Sequence, residues 1–98
     1  MPTAVAVKQH ITLRLTGRVQ GVGYRAWFAW QARAANLRGW VRNRSDKSVE
    51  ALICGDVVHV ERIIAASHTG PAMAKVDSVT ATDAQDNGAT SFEIAPDN

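Results

Sequence analysis

Gly17-Arg18-Val19-Gln20-Gly21-Val22-Gly23-Tyr24-Arg25 joins a strand-like run to a helix-like run through a loop that carries three glycines and two arginines. Upstream, Ile11, Leu13 and Leu15 alternate with Thr12, Arg14 and Thr16, the period-two pattern of a half-buried strand. Downstream, Tyr24 to Leu37 is rich in alanine and spaces Phe28, Ala32 and Ala35 along one helical face, with Asn36 placed to end the helix in a left-handed conformation. Glycines between a strand and a helix let successive amides turn inward, and the helix start adds unpaired N–H groups and a partial positive charge. The stretch therefore predicts an anion cradle, closed from its side by Arg25.

Reading outward from the loop, Arg38 to Asn43 and Ser48 to Cys54 are two strands, with Arg44-Ser45-Asp46-Lys47 between them as a hairpin turn. Gly55 punctuates the second strand and Asp56 is a suitable N-cap. Val57, Val60, Ile63 and Ile64 then mark an amphipathic helix running to about Ser67. Gly70-Pro71 stops that helix before an alternating strand near Ala74 to Thr82 and a short strand around Phe92 to Ile94. The order strand, helix, strand, strand, helix, strand predicts an α+β fold, the ferredoxin-like βαββαβ sandwich. Its expected form is a four-stranded antiparallel sheet with two helices on one face and a short extra C-terminal strand. Residues 1–8 read as a flexible arm and 9–98 as a single domain.

The first stretch resembles a signature of the acylphosphatases, Gly-x-Val-Gln-Gly-Val-x-aromatic-Arg. Gly39-Trp40-Val41-Arg42-Asn43 resembles the family's second signature, a Gly-aromatic-Val-basic-Asn strand. Both stand in the family's order and spacing, and Gly70-Pro71 and Ser91-Phe92-Glu93-Ile94 add weaker likenesses, so the resemblance runs from about Ile11 to Ile94. It implies hydrolysis of the carboxyl-phosphate bond of acyl phosphates by a small free-standing enzyme. It also implies that Arg25 binds the phosphate and that Asn43 positions the attacking water. Gln20, Gly21, Val22, Gly23, Tyr24 and Arg25 would supply the phosphate-binding amides. Two positions depart from the family pattern. Tyr24 stands where Phe or Met is usual, adding a hydroxyl that needs a partner if buried. Lys47 replaces a glycine in a turn that calls for positive φ.

This chemistry suits the composition. A carboxylate leaving group needs no proton at neutral pH, so the reaction calls for charge neutralisation on the phosphoryl oxygens and a water held in line. Arg25 can offer two parallel donors, and the Asn43 amide can both donate and accept. Residues 1–45 hold Lys8 and seven arginines with no acidic residue, a charge of +8, whereas residues 46–98 hold three basic and nine acidic residues, a charge of −6. Both motifs lie in the positive part, which favours anion encounter unless the two parts intermingle in space. With no Asp or Glu before residue 46, the motifs carry neither a local general base nor carboxylates for Mg²⁺, which predicts metal-independent hydrolysis without a cofactor.

The lone Cys54 can form no internal disulfide, no Cys/His cluster shows metal-ligand spacing, and no apolar run is long enough to span a membrane. A cytoplasmic monomer is expected. Its partners are a small-molecule acyl phosphate and inorganic phosphate or other anions as product or inhibitor, with no nucleic acid and no membrane. Two rival readings are weaker. Gly21-Val22-Gly23-Tyr24-Arg25-Ala26 satisfies Gly-x-Gly-x-x-Gly/Ala with Asp46 about twenty residues on, but Asp46 falls in a hairpin turn and 98 residues cannot complete a doubly wound sheet. RNA binding shares the sheet topology, yet the first strand offers Thr12, Arg14 and Thr16 and the third offers Glu50 where aromatics would be needed.

Overall fold

The computed structural model describes residues 7–98; the greater part of the arm expected over residues 1–8 lies outside the described residues. The elements are β1 (Lys8–Arg18), α1 (Tyr24–Ala34), β2 (Arg38–Asn43), β3 (Val49–Asp56), α2 (Val57–Ser67), β4 (Lys75–Asp83) and β5 (Phe92–Ile94). They form one five-stranded sheet in the order β4-β1-β3-β2-β5. β1 pairs antiparallel with both β3 and β4, and β3 antiparallel with β2. The short last strand does not stand apart from the four-stranded core as an appendage. It joins the sheet edge parallel to β2, with Gly39 opposite Phe92 and Val41 opposite Ile94.

Alternation along the strands decides which face is buried. Ile11, Leu13 and Leu15 of β1, Val41 of β2, and Val49, Ala51 and Ile53 of β3 meet Phe28 and Ala32 of α1 and Val60 and Ile63 of α2 in the core. The intervening residues form the opposite, open face. β3 runs past Gly55 to Asp56, and the Asp56 side chain pairs with Lys8 without capping α2. At the end of α1, Asn36 adopts φ 57, with Asn36 N donating to Arg33 O at 3.1 Å and Leu37 N to Ala32 O at 2.9 Å. That pair of bonds is the Schellman closure, which turns the chain directly into β2. Among the described residues no helix is long and apolar enough to cross a membrane.

Candidate active site

The glycine loop takes its shape from two constraints. Strand β1 breaks register against β4 between Thr16 and Gly17, and a Cβ on Gly17 would lie 2.3 Å from Lys75 O, so only glycine fits this crossing. Gly21 and Gly23 have φ 72 and 79, and no atom would lie within 4 Å of a Cβ built at either. They are needed for backbone shape and not for space. Gly23 is the N-cap of α1, and Gly23 O accepts from Trp27 N at 3.0 Å. The amides of Tyr24, Arg25 and Ala26 precede that first helical bond, so they have no intrahelical acceptor.

Asn43 reaches the same place from the sheet. It shares the helix-side parity of Gly39 and Val41, at the end of β2 beyond the packed core. A cavity of about 240 Å³ is lined by Val19, Gly21, Gly23, Tyr24, Arg25, Ala26, Asn43 and Ile94. Thus the loop, Arg25 and Asn43 converge, as the two motifs imply. Asn43 Oδ1 is buried with no hydrogen-bond partner among the described residues. Arg25 Nη1 donates to Asp97 Oδ1 at 2.9 Å, so a carboxylate already sits on this guanidinium.

The side chains of two motif residues do other work. Gln20 Nε2 donates to Arg44 O at 2.9 Å and Ser48 O at 2.8 Å, tying the glycine loop to the β2–β3 turn. Tyr24 is fully buried, and its hydroxyl donates to Ser67 O at 2.6 Å, so the extra phenol finds its partner on α2. Burial pushes this phenol well above its ordinary range, and it stays neutral. Lys47 has φ 76, the positive value that the turn calls for. Asp46 Oδ1 accepts from Ser48 N at 3.0 Å and Ser48 Oγ at 2.5 Å within that turn, and Asp46 Oδ2 accepts from Arg14 Nη1 of β1 at 3.3 Å.

Sequence reasoning missed Ile94 on the cavity wall and Asp97 on the Arg25 guanidinium. Ile94 could have been placed from its alternation with buried Phe92, but nothing local marks Asp97. Its position follows from pairing, because Ala95 N donates to Val41 O at 2.9 Å and Asn98 N to Asn43 O at 3.0 Å, extending β5 along β2.

Known proteins resemble this chain in sequence and in fold. The acylphosphatase family model matches residues 11–94. An acylphosphatase from Azoarcus sp. (strain BH72) is 49% identical over 84 residues, covering 86% of each chain. One from Bradyrhizobium diazoefficiens is 54% identical over 70 residues, 71% of each chain. The crystal structure of the acylphosphatase from Bacillus subtilis superposes with a TM-score of 0.85 at 31% identity, covering 91% of this chain and 99% of that one.

Proposed function

The chain belongs to the acylphosphatase family, enzymes that hydrolyse acyl phosphates, and from that premise we propose how its own residues do the work. The amides of residues 20–25 and the Arg25 guanidinium hold the phosphoryl oxygens, and Asn43 holds the attacking water. Charge-assisted bonds of this kind contribute about 1.5–3 kcal/mol each. Those that tighten as charge spreads over the phosphoryl oxygens lower the barrier. The water attacks phosphorus in line with the carboxylate leaving group. The P–O bond to the acyl carboxylate breaks, and the water's proton passes to a phosphate oxygen. No metal and no protein base takes part.

The observation that carries this reading is that Arg25, the glycine loop and Asn43 line one cavity, and that Asn43 Oδ1, buried beside it, has no hydrogen-bond partner among the described residues. A buried acceptor left unpaired costs about 1–3 kcal/mol, and a turn of the Asn43 amide toward the cavity would let a water donate to it and remove that cost. Two features speak against the rival readings: both Asp46 carboxylate oxygens are taken, by Ser48 and Arg14, and Glu50 of β3, where an RNA-binding sheet needs an aromatic, is held by Arg42 and Arg44. On this reading the protein works as a cytoplasmic monomer, uses no cofactor and binds inorganic phosphate as its product.

Hydrolysis of benzoyl phosphate, with and without EDTA, by the wild type and by folded Arg25→Ala and Asn43→Ala variants tests this mechanism. Turnover should survive EDTA and fall by about 10² or more in each variant. Loss of activity in EDTA, or full activity in either variant, would overturn the assignment.

A further inference from the structure

Away from the phosphate loop, three side chains from distant parts of the sequence converge on the open face of the sheet. His10 in β1 and Cys54 in β3 are direct register partners, and both alternate with core residues, Ile11 and Ile53, that face the helices. The chain between β4 and β5 leads from one sheet edge to the other, bringing Asp86 to this pair, with Ala84 N donating to His10 O at 2.9 Å. One donor atom from each of His10, Cys54 and Asp86 lies within 4.8 Å of the other two, and His10 Nε2 is 3.4 Å from Asp86 Oδ2. Cys54 is buried, whereas His10 and Asp86 lie on the solvent side.

We propose that His10, Cys54 and Asp86 form a binding site for a borderline transition-metal dication of the Zn²⁺ class, with solvent completing the coordination shell on the open side. Thiolate, imidazole and carboxylate are the donors Zn²⁺ takes in tetrahedral sites, at about 2.3, 2.0–2.1 and 2.0–2.2 Å. Tetrahedral donors at those lengths stand roughly 3.3–3.6 Å apart, so the three side chains need only a small contraction. The sulfur ligand selects against Mg²⁺ and Ca²⁺, which take oxygen donors. On binding, the Cys54 S–H bond breaks and a sulfur–metal bond forms, while the proton leaves to the buffer.

The surroundings fit this role. Gly88 N donates to Asp86 Oδ1 at 2.9 Å, which leaves Oδ2 for a ligand bond. The opposing group is Arg38, whose Nη1 lies 3.6 Å from Asp86 Oδ1 and donates to Ala89 O at 2.9 Å. Arg38 occupies the first position of β2 and Asn43 the last. Five strand residues, roughly 16 Å, therefore separate this cluster from the hydrolytic site. A metal here pins the segment between β4 and β5 to the sheet and takes no part in hydrolysis.

Titration of the purified chain with Co²⁺ alone, followed by absorbance, tests the site. Thiolate ligation gives a near-ultraviolet sulfur-to-cobalt charge-transfer band that saturates at one equivalent and is displaced by Zn²⁺. The band should vanish in Cys54→Ser and weaken at least tenfold in affinity in His10→Ala, a half-buried position whose truncation leaves the core intact. Arg38→Ala, which removes the competing cation, should tighten binding severalfold. Absence of the band in the wild type, or its persistence in both Cys54→Ser and His10→Ala, would overturn the proposal.

Discussion

Arg25 meets a carboxylate from its own chain, and on the proposed role of Arg25 this makes Asp97 a competitor for the anion. The pair is at the surface, with side chains 37% and 64% exposed, so its worth is small, about 0.2–1 kcal/mol. Asp97→Asn should therefore tighten inhibition by inorganic phosphate by about 1.5- to 5-fold, read as the competitive inhibition constant against benzoyl phosphate. Weaker phosphate binding would instead mean that Asp97 helps to hold the guanidinium in its binding pose. Lys47 poses a different question at the same scale. An L-residue at φ 76 is strained, and Lys47→Gly should raise stability by about 1 kcal/mol with little change in turnover, checked by urea denaturation. Tyr24→Phe leaves Ser67 O without the phenol donor and should cost about 1–3 kcal/mol while hydrolysis persists.

At the scale of elements, the loop between β1 and α1 and the β2–β3 turn are linked by one side chain, that of Gln20. Its two bonds to Arg44 O and Ser48 O tie the turn beside Asn43 to the glycine-loop amides. Gln20→Ala should lower kcat by about tenfold or more, since small misplacements of reacting groups are costly, and KM should change less; unchanged kcat would show that each element holds its place alone. Much of this arrangement was legible in the chain. The glycines, the Ala-rich helix with Asn36 at its close, the hairpin and the helix behind Asp56 all follow from local rules of backbone shape and periodicity. The Gln20 side chain was not, because its acceptors are carbonyls 24 and 28 residues away. Asp97 and the His10–Cys54–Asp86 cluster escaped for the same reason. Strand register creates them, and register depends on partners that no local pattern names. Gly55 misled the reading of β3, since a glycine that permits close packing against Leu37 looks in sequence like one that ends a strand.

For the whole molecule, the charge divided along the chain is brought together by the fold. Lys8, Arg14, Arg25, Arg33, Arg38, Arg42 and Arg44 each pair with an acidic residue from beyond position 45. Arg18 is the one basic residue of the first 45 without an ion pair among the described residues, so local pairing replaces a broad positive field. Glu50 shows the consequence for acid stability. Burial alone would raise its carboxyl, but hydrogen bonds from Arg42 and Arg44 outweigh burial and hold it below its ordinary value. A carboxylate lowered by folding stabilises the protein above its unfolded pKa, and that stability is lost as pH falls through the folded value. Glu50→Gln should therefore flatten the acid limb of the stability curve below about pH 5, measured as the denaturant midpoint against pH. The path of β5 along β2 also sets a time order. A cavity walled by Arg25, Asn43 and Ile94 closes only after the last strand has found a partner some fifty residues upstream, and sheets with such distant pairings form slowly. In a refolding chain, the return of acyl phosphate hydrolysis should lag behind the return of helix signal and coincide with the final edge docking.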